Sequence, residues 1–300
     1  MSRKRRRLGE RYGYGPPLDA LLDWGAARLE EDWPSYYKLP FALEHVPDLL
    51  RMAADSRLRN LDSGKESWAP MHAMRVIGQL GAVEAAPALL LFLALASGDH
   101  DYFLSDEVPL VFAMLGAGAV PHLALFLADE EVPTDSRGLA GLSLSLIGAA
   151  HAECCEIAGA VLTTQLRRWE TNDPELNASL LVSLSQLPEP PGEVLELARA
   201  AYEADRVDEF AGGDWMECQD EMDVENPVPL DREDGADWWD LQRQSLAARR
   251  AAQEEPEEEA PLLEAYGERP GGSNWVAPRA PRRARRKAAA ASRRANRARH

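Results

Sequence analysis

Residues 68–82, WAPMHAMRVIGQLGA, combine a helical pattern with a glycine turn. Met71, Met74 and Ile77 recur at every third position, which places their side chains on one face of a helix. Gly81 follows, and a helix that must double back commonly ends on a left-handed glycine. The stretch therefore predicts a helix that stops before this glycine and turns into a second helix.

The same turn phrase recurs further along the chain, with glycines spaced by 35 and 32 residues. Proline follows the first two glycines, at Pro87 and Pro121, where the first turn of a helix tolerates it. Between them, residues 88–95 are apolar on all sides, which predicts a helix sandwiched between its neighbours. Spacings of this size are typical of paired-helix repeats. The three phrases are Leu80-Gly81-Ala82, Leu115-Gly116-Ala117 and Ile147-Gly148-Ala149.

Residues 68–82, followed by Pro87-Ala88-Leu89-Leu90, resemble bacterial HEAT-repeat proteins, including those with short repeats of the phycobilisome-lyase type. The resemblance covers about residues 18–204 and implies an all-α fold, an α-solenoid of four to five HEAT-like helical pairs that binds proteins. Relatives with a di-iron centre use repeated His-Glu pairs, and this sequence contains no His-Glu dipeptide. Relatives that attach bilins offer no compact motif to match. A bilin lyase, or a chaperone for a tetrapyrrole-carrying partner, remains the alternative by analogy of fold.

The predicted pairs and domains follow from these signals. We expect helical pairs at 18–57, 68–97, 103–129, 136–168 and 174–204. The predicted domains are a basic disordered N-terminus at 1–14, the solenoid at 15–210, an acidic C-terminal cap region with a short helix at 211–253, and a disordered tail at 254–300 that is first acidic and then basic.

Charge is unevenly distributed along the chain. Residues 8–278 hold 18 basic and 50 acidic residues, a net charge of −32, whereas the rest holds 15 basic residues and no acid. Two functions compete for the tail. It either tethers the protein to RNA or a ribosome without sequence preference, or it lies on acidic residues of its own chain. The candidate polyanion-binding residues are Arg282, Arg283, Arg285, Arg286, Lys287, Arg293 and Arg294.

The three cysteines, Cys154, Cys155 and Cys218, fit neither a disulfide framework nor a zinc motif, so we expect a reducing cytoplasm. No apolar secretion signal follows the basic N-terminus. Residues 108–128 have the length of a membrane span, but Gly116 and Pro121 predict two short buried helices instead.

Candidate partner-binding residues lie in three places. His72, Arg75 and Gln79 are predicted to share an exposed face of the helix at 70–80. Phe210 and Trp215 lie among carboxylates, where they either cap the last repeat or form a binding edge. The adjacent pair Trp238 and Trp239 either docks on the solenoid or serves as a short helical ligand for another protein.

Catalytic and metal-binding patterns give no comparable signal. The histidines form no HExxH pattern, and Asp99-His100-Asp101 is typical of a polar loop. We therefore expect no metal, no cofactor and no catalytic residue. The sequence predicts a non-catalytic scaffold or adaptor that binds another protein and no membrane.

Overall fold

The computed structural model describes residues 3–27, 33–58, 64–99, 102–222 and 224. Within these ranges the regular elements are all helices, which confirms the predicted all-α class. The α-helices are α1 (Arg3–Tyr12), α2 (Val46–Ala53), α3 (Ala69–Gln79), α4 (Ala86–Asp99), α5 (Tyr102–Leu115), α6 (Val120–Ala128), α7 (Thr134–Ala150), α8 (Cys155–Leu166), α9 (Pro174–Ser185), α10 (Val194–Glu203), α11 (Glu209–Gly212) and α12 (Trp215–Glu221). Short 3-10 helices include Leu18–Asp23, Tyr36–Lys38, Leu43–His45 and Gly116–Ala119.

Helices α3, α5, α7 and α9 pack side by side in chain order. Helices α4, α6 and α8 each pack against the member of that row that follows them, and they also contact one another in order. Each helix of this row contributes fully buried side chains to the core. Examples, one from each helix, are Ile77, Phe112, Leu144 and Leu184. Burial of these side chains stabilises the packing between successive helices.

Helices occupy four of the five predicted pairs, at 68–97, 103–129, 136–168 and 174–204. The predicted pair at 18–57 is wrong, since the described residues of this region, 18–27 and 33–57, hold short 3-10 helices and the single α-helix α2. Pro34 and Pro40 interrupt any helix there, because proline removes a backbone donor and disfavours helical geometry in the residue before it.

The prediction of a disordered start at 1–14 is also wrong for the described residues. Residues 3–12 form α1, and Tyr12 and Tyr14 are buried. Arg5 donates through Nε to the carboxylate of Asp19 at 2.9 Å, which joins the basic helix to the 3-10 helix that follows it. Arg5 therefore has a structural partner outside its own helix.

The turn glycines divide into two kinds. Gly81 and Gly116 adopt φ angles of 62° and 65°, the left-handed conformation that the turn phrase predicts. Gly148 does not end a helix, because α7 continues to Ala150. A Cβ at Gly148 would lie 2.6 Å from Leu187 Cδ2, so this glycine allows close packing rather than a turn.

One apolar stretch, Ser105–Ala128, is long enough to cross a membrane by length and composition alone. Half of its most apolar window is buried within the protein. Gly116 separates α5 from α6 within this stretch, as predicted, and buried helices of a folded core have the same composition.

Replacement of Gly116 by Ala tests the turn. The new Cβ would strain the left-handed backbone and would lie 3.2 Å from His151 Nε2, so we expect the free energy of unfolding to fall by about 1–2 kcal/mol. Gly192→Ala is the matched control, because no heavy atom lies within 4 Å of the added Cβ. Urea denaturation followed by helical circular dichroism measures both, and equal losses would show that Gly116 does not hold a strained turn.

Candidate functional site

The polar face of α3 is buried, which makes the prediction that His72, Arg75 and Gln79 face solvent wrong. Their exposed fractions are 0%, 1% and 7%. Residues 24–27 and 33–37, which we call the covering segment, lie across this face and supply partners to each of the three side chains. They are therefore not available as contacts for another protein while this segment is in place.

His72 is held between two partners from the covering segment. Its Nε2–H donates to the carbonyl oxygen of Gly25 at 2.9 Å, and its Nδ1 accepts from the hydroxyl of Tyr36. A carbonyl oxygen can only accept, so Nε2 carries a proton, and Nδ1 carries none because burial disfavours the charged imidazole. Burial lowers the pKa of His72 to about 4. The ring of Trp24 lies 5.9 Å from the imidazole and closes the site.

Arg75 forms a buried ion pair with Glu107 of α5. Its Nε lies 3.1 and 3.0 Å from the two carboxylate oxygens, and Nη2 makes a further short contact. The side chains are 1% and 0% exposed. Burial raises the pKa of Glu107 despite the adjacent guanidinium. The guanidinium carbon also lies 4.7 Å from the ring centroid of Trp33, in a cation–π arrangement.

Gln79 binds the backbone of the covering segment through both ends of its amide. Its Oε1 accepts from the backbone N–H of Tyr36 at 2.9 Å, and its Nε2 donates to the carbonyl of Pro34 at 3.0 Å. The hydroxyl of Tyr37 donates to the backbone carbonyl of Gln79 at 2.6 Å. The polar face of α3 thus supplies hydrogen-bond partners to backbone groups of the covering segment, which has little regular structure of its own.

A second surface is exposed and apolar, and we call it the outer apolar face. Sequence reasoning missed it, because it treated residues 88–95 as sandwiched on all sides. Leu91 of α4 is 66% exposed and Leu125 of α6 is 74% exposed. The missed signal is the spacing of four residues along each helix, which places the apolar side chains in one row. The face consists of Pro87, Leu91 and Leu95 of α4, Pro121 and Leu125 of α6, and Ile157 of α8.

The C-terminal end of the described chain separates Trp215 from Phe210. Trp215 is buried at 4% exposure, and its ring lies 5.6 Å from that of Tyr202, whose hydroxyl donates to the carbonyl of Gly213. Its ring is therefore packed inside the protein, and the role of Trp215 as a cap of the last repeat stays a prediction. Phe210 is 70% exposed and remains accessible to a partner.

The other candidate residues lie outside the described residues. These are Trp238, Trp239 and the tail residues Arg282, Arg283, Arg285, Arg286, Lys287, Arg293 and Arg294.

Cys154 is buried in the 3-10 turn that leads into α8. Burial raises the pKa of its thiol, which disfavours the reactive thiolate. Among the described residues, no group of three or more His, Cys, Asp or Glu side chains is arranged to hold a metal ion.

A small pocket of about 60 Å³ adjoins the covered face of α3. The side chains of Tyr36, Tyr37, Phe41 and Val76 are among those that line it. Pockets that enclose a drug-sized ligand are typically at least roughly 300 Å³, so this one fits only a few atoms.

Comparison with known proteins gave no relative: no family model matches the chain, and neither does any curated protein or any solved structure.

Replacement of Arg75 by Met tests the buried ion pair. The change leaves the Glu107 carboxylate buried without its cation, so we expect a loss of about 3–5 kcal/mol in the free energy of unfolding. Adding Glu107→Gln should restore much of this loss. The control is Arg167→Met in the exposed pair with Glu193, where we expect a loss of about 1 kcal/mol or less. Urea denaturation of the four chains checks this, and similar losses for both arginines would contradict it.

A pH series of His72→Gln tests the neutral imidazole. The folded pKa of about 4 lies below the ordinary value of 6.5, so the unfolded chain takes up the proton first as the pH falls. The stabilisation is complete above pH 6.5 and is lost as the pH falls toward 4, by roughly 3 kcal/mol. The wild-type chain should lose about this much more stability than the variant between these pH values. Parallel curves for the two chains would exclude a neutral buried His72.

Proposed function

We propose that the chain is a non-catalytic, protein-binding scaffold built as an α-solenoid of HEAT-like repeats. The main support for this proposal is the outer apolar face, where the helices α4, α6 and α8 each expose large apolar side chains. Contiguous exposed apolar surface of this kind typically marks an interaction site. The proposal assigns binding to α4 and α6 instead of the polar face of α3.

The repeat architecture is supported by the packing order and by matching hydrogen bonds in α7 and α9. Ser143 Oγ donates to the carbonyl of Leu139, and Ser183 Oγ donates to that of Ser179, both at 2.8 Å. A second pair of serines two residues further along, Ser145 and Ser185, bonds to the carbonyl three residues back in each helix. A repeat architecture predicts that equivalent helices pack side by side and share local hydrogen bonds, as α7 and α9 do.

The chemistry of the outer apolar face indicates the kind of partner. Residues 86–98 and 120–128 contain no Asp, Glu, Lys or Arg, so recognition along these two helices depends mainly on apolar contact. Helices α4 and α6 contact each other, which places their rows of exposed side chains next to one another. A helix with an apolar face fits between two such rows, with side chains spaced by three and four residues as anchors. The partner in this proposal is an amphipathic helical segment of a protein.

The tetrapyrrole alternative receives no specific support from the described residues. The pocket beside Tyr36 holds only a few atoms, and a tetrapyrrole needs a far larger cleft. Contact between the basic tail and RNA stays a prediction, because the tail lies outside the described residues.

Leu91→Asp and Leu125→Asp test the proposed binding face. Each introduces a charge that a docked apolar helix would have to bury, so we expect at least a tenfold loss of the proteins captured by cross-linking from the native host. Both sites are exposed, so the fold should tolerate the changes. Ala204→Asp, at an exposed position beyond α10, is the control and should retain capture.

The same experiment with Phe210→Asp separates the two exposed candidates. Mass spectrometry of the captured proteins provides the measurement. Retained capture with the leucine variants and loss with Phe210→Asp would move the binding site to the C-terminal end of the described chain.

A further inference from the structure

The outer apolar face has an acidic border at one end. Helix α6 ends at Ala128, and the exposed residues Asp129, Glu130 and Glu131 follow directly. The carboxylate of Asp129 accepts from the backbone N–H of Glu131, and Glu130 pairs with Arg168. A ligand that fits the face and this border combines large apolar side chains with basic residues at one end.

Residues 237–253 of the same chain have this composition. The first part and the middle of the segment carry the large apolar residues Trp238, Trp239, Leu241 and Leu246. The adjacent Arg249 and Arg250 lie toward its C-terminal end. No proline occurs between Pro229 and Pro256, so the segment can form a helix without interruption. The apolar side chains then share about half of the helix circumference.

The segment can reach the face from where the described chain ends. Helix α12 ends at Glu221 and packs against α9 and α10. Residues 222–236 span up to about 50 Å when extended, at about 3.3–3.6 Å per residue. Helices α12, α9, α8, α6 and α4 contact one another in this order, and packed helices lie about 8–10 Å apart. The three steps to α6 and the four steps to α4 therefore amount to roughly 24–40 Å. The connection is therefore longer than the distance it has to cover.

We propose that residues 237–253 dock on the outer apolar face of their own chain and compete there with the protein partner. This inference rests on the proposed function, because it names the regulation of the same surface. The tryptophans fill the space between the rows of α4 and α6, and the arginines lie near the acidic border. An intramolecular competitor lowers the apparent affinity for the partner by the fraction of molecules in which the face is free.

A photo-cross-linking residue in the full chain tests this docking. Benzoylphenylalanine replaces Leu125, and illumination of a dilute sample should give cross-links within one chain to residues 237–253, mapped by mass spectrometry. Trp238→Ser with Trp239→Ser should reduce these cross-links at least fivefold. A probe in place of Ala204 is the control and should not reach the segment. Cross-links between two chains would assign the face to a second copy, and cross-links elsewhere, or none, would also overturn the proposal.

Partner capture separates this inference from the proposed function. If the segment competes, the double Trp variant should capture several-fold more partner than the wild-type chain, and Leu125→Asp should abolish that gain. Capture that depends on Leu125 without an intramolecular cross-link would reject the docking and retain the binding face. The cross-link without dependence of capture on Leu125 would reject the binding face and leave residues 237–253 as a structural cover.

Discussion

The guanidinium of Arg75 joins parts of the protein that are far apart in the chain. It binds Glu107 of α5, stacks on Trp33 and contacts the carbonyl oxygen of Ala27. An ion pair removed from water is costly unless its hydrogen-bonding capacity is satisfied, so the arrangement has few alternatives. The pair thereby fixes how α3, α5 and the covering segment sit together, and the packing of the later helices begins from that arrangement.

The two faces of the helical layers have opposite chemistry. The side of α3 carries polar groups that are matched one by one to a segment of the same chain, as the amide of Gln79 shows at both of its ends. The outer side of α4 and α6 carries apolar groups that remain accessible. Polar matching depends on geometry and selects a single partner, whereas apolar contact tolerates more variation. The protein thus uses its specific surface internally and presents its adaptable surface to solvent.

The sequence predicts the helices where periodicity and turn chemistry agree. Met71, Met74 and Ile77 repeat at helical spacing, and Gly81 and Gly116 adopt the left-handed turns that the repeated phrase implies. The sequence could not predict the burial of His72, because a polar stripe has the same pattern whether it faces water or another segment. Its partners lie 36 and 47 residues away and are joined to it only by tertiary structure.

Leu91 and Leu125 show that the burial of apolar residues is equally hard to predict from sequence. A helix that is apolar all round is the pattern of a buried helix, yet in the described part of the chain one row of side chains on α4 and on α6 has no helix packed over it. Periodicity within one helix gives the direction of each side chain but not the number of neighbouring helices. The position of Trp238 and Trp239 in the sequence, beyond the last predicted pair, likewise does not indicate which surface they contact.

The contacts of the covering segment also indicate the order in which parts of the protein fold. Its residues are synthesised before those of α3 and α5, yet the backbone N–H and the hydroxyl of Tyr36 find their hydrogen-bond partners on Gln79 and His72. The site around Arg75 is complete only after Glu107 has been added, because this carboxylate balances the charge that the segment buries. Contacts over such sequence separations form late, since the intervening chain must first be ordered. The covering segment is therefore synthesised before α3 and α5 but reaches its final position only after both helices are in place.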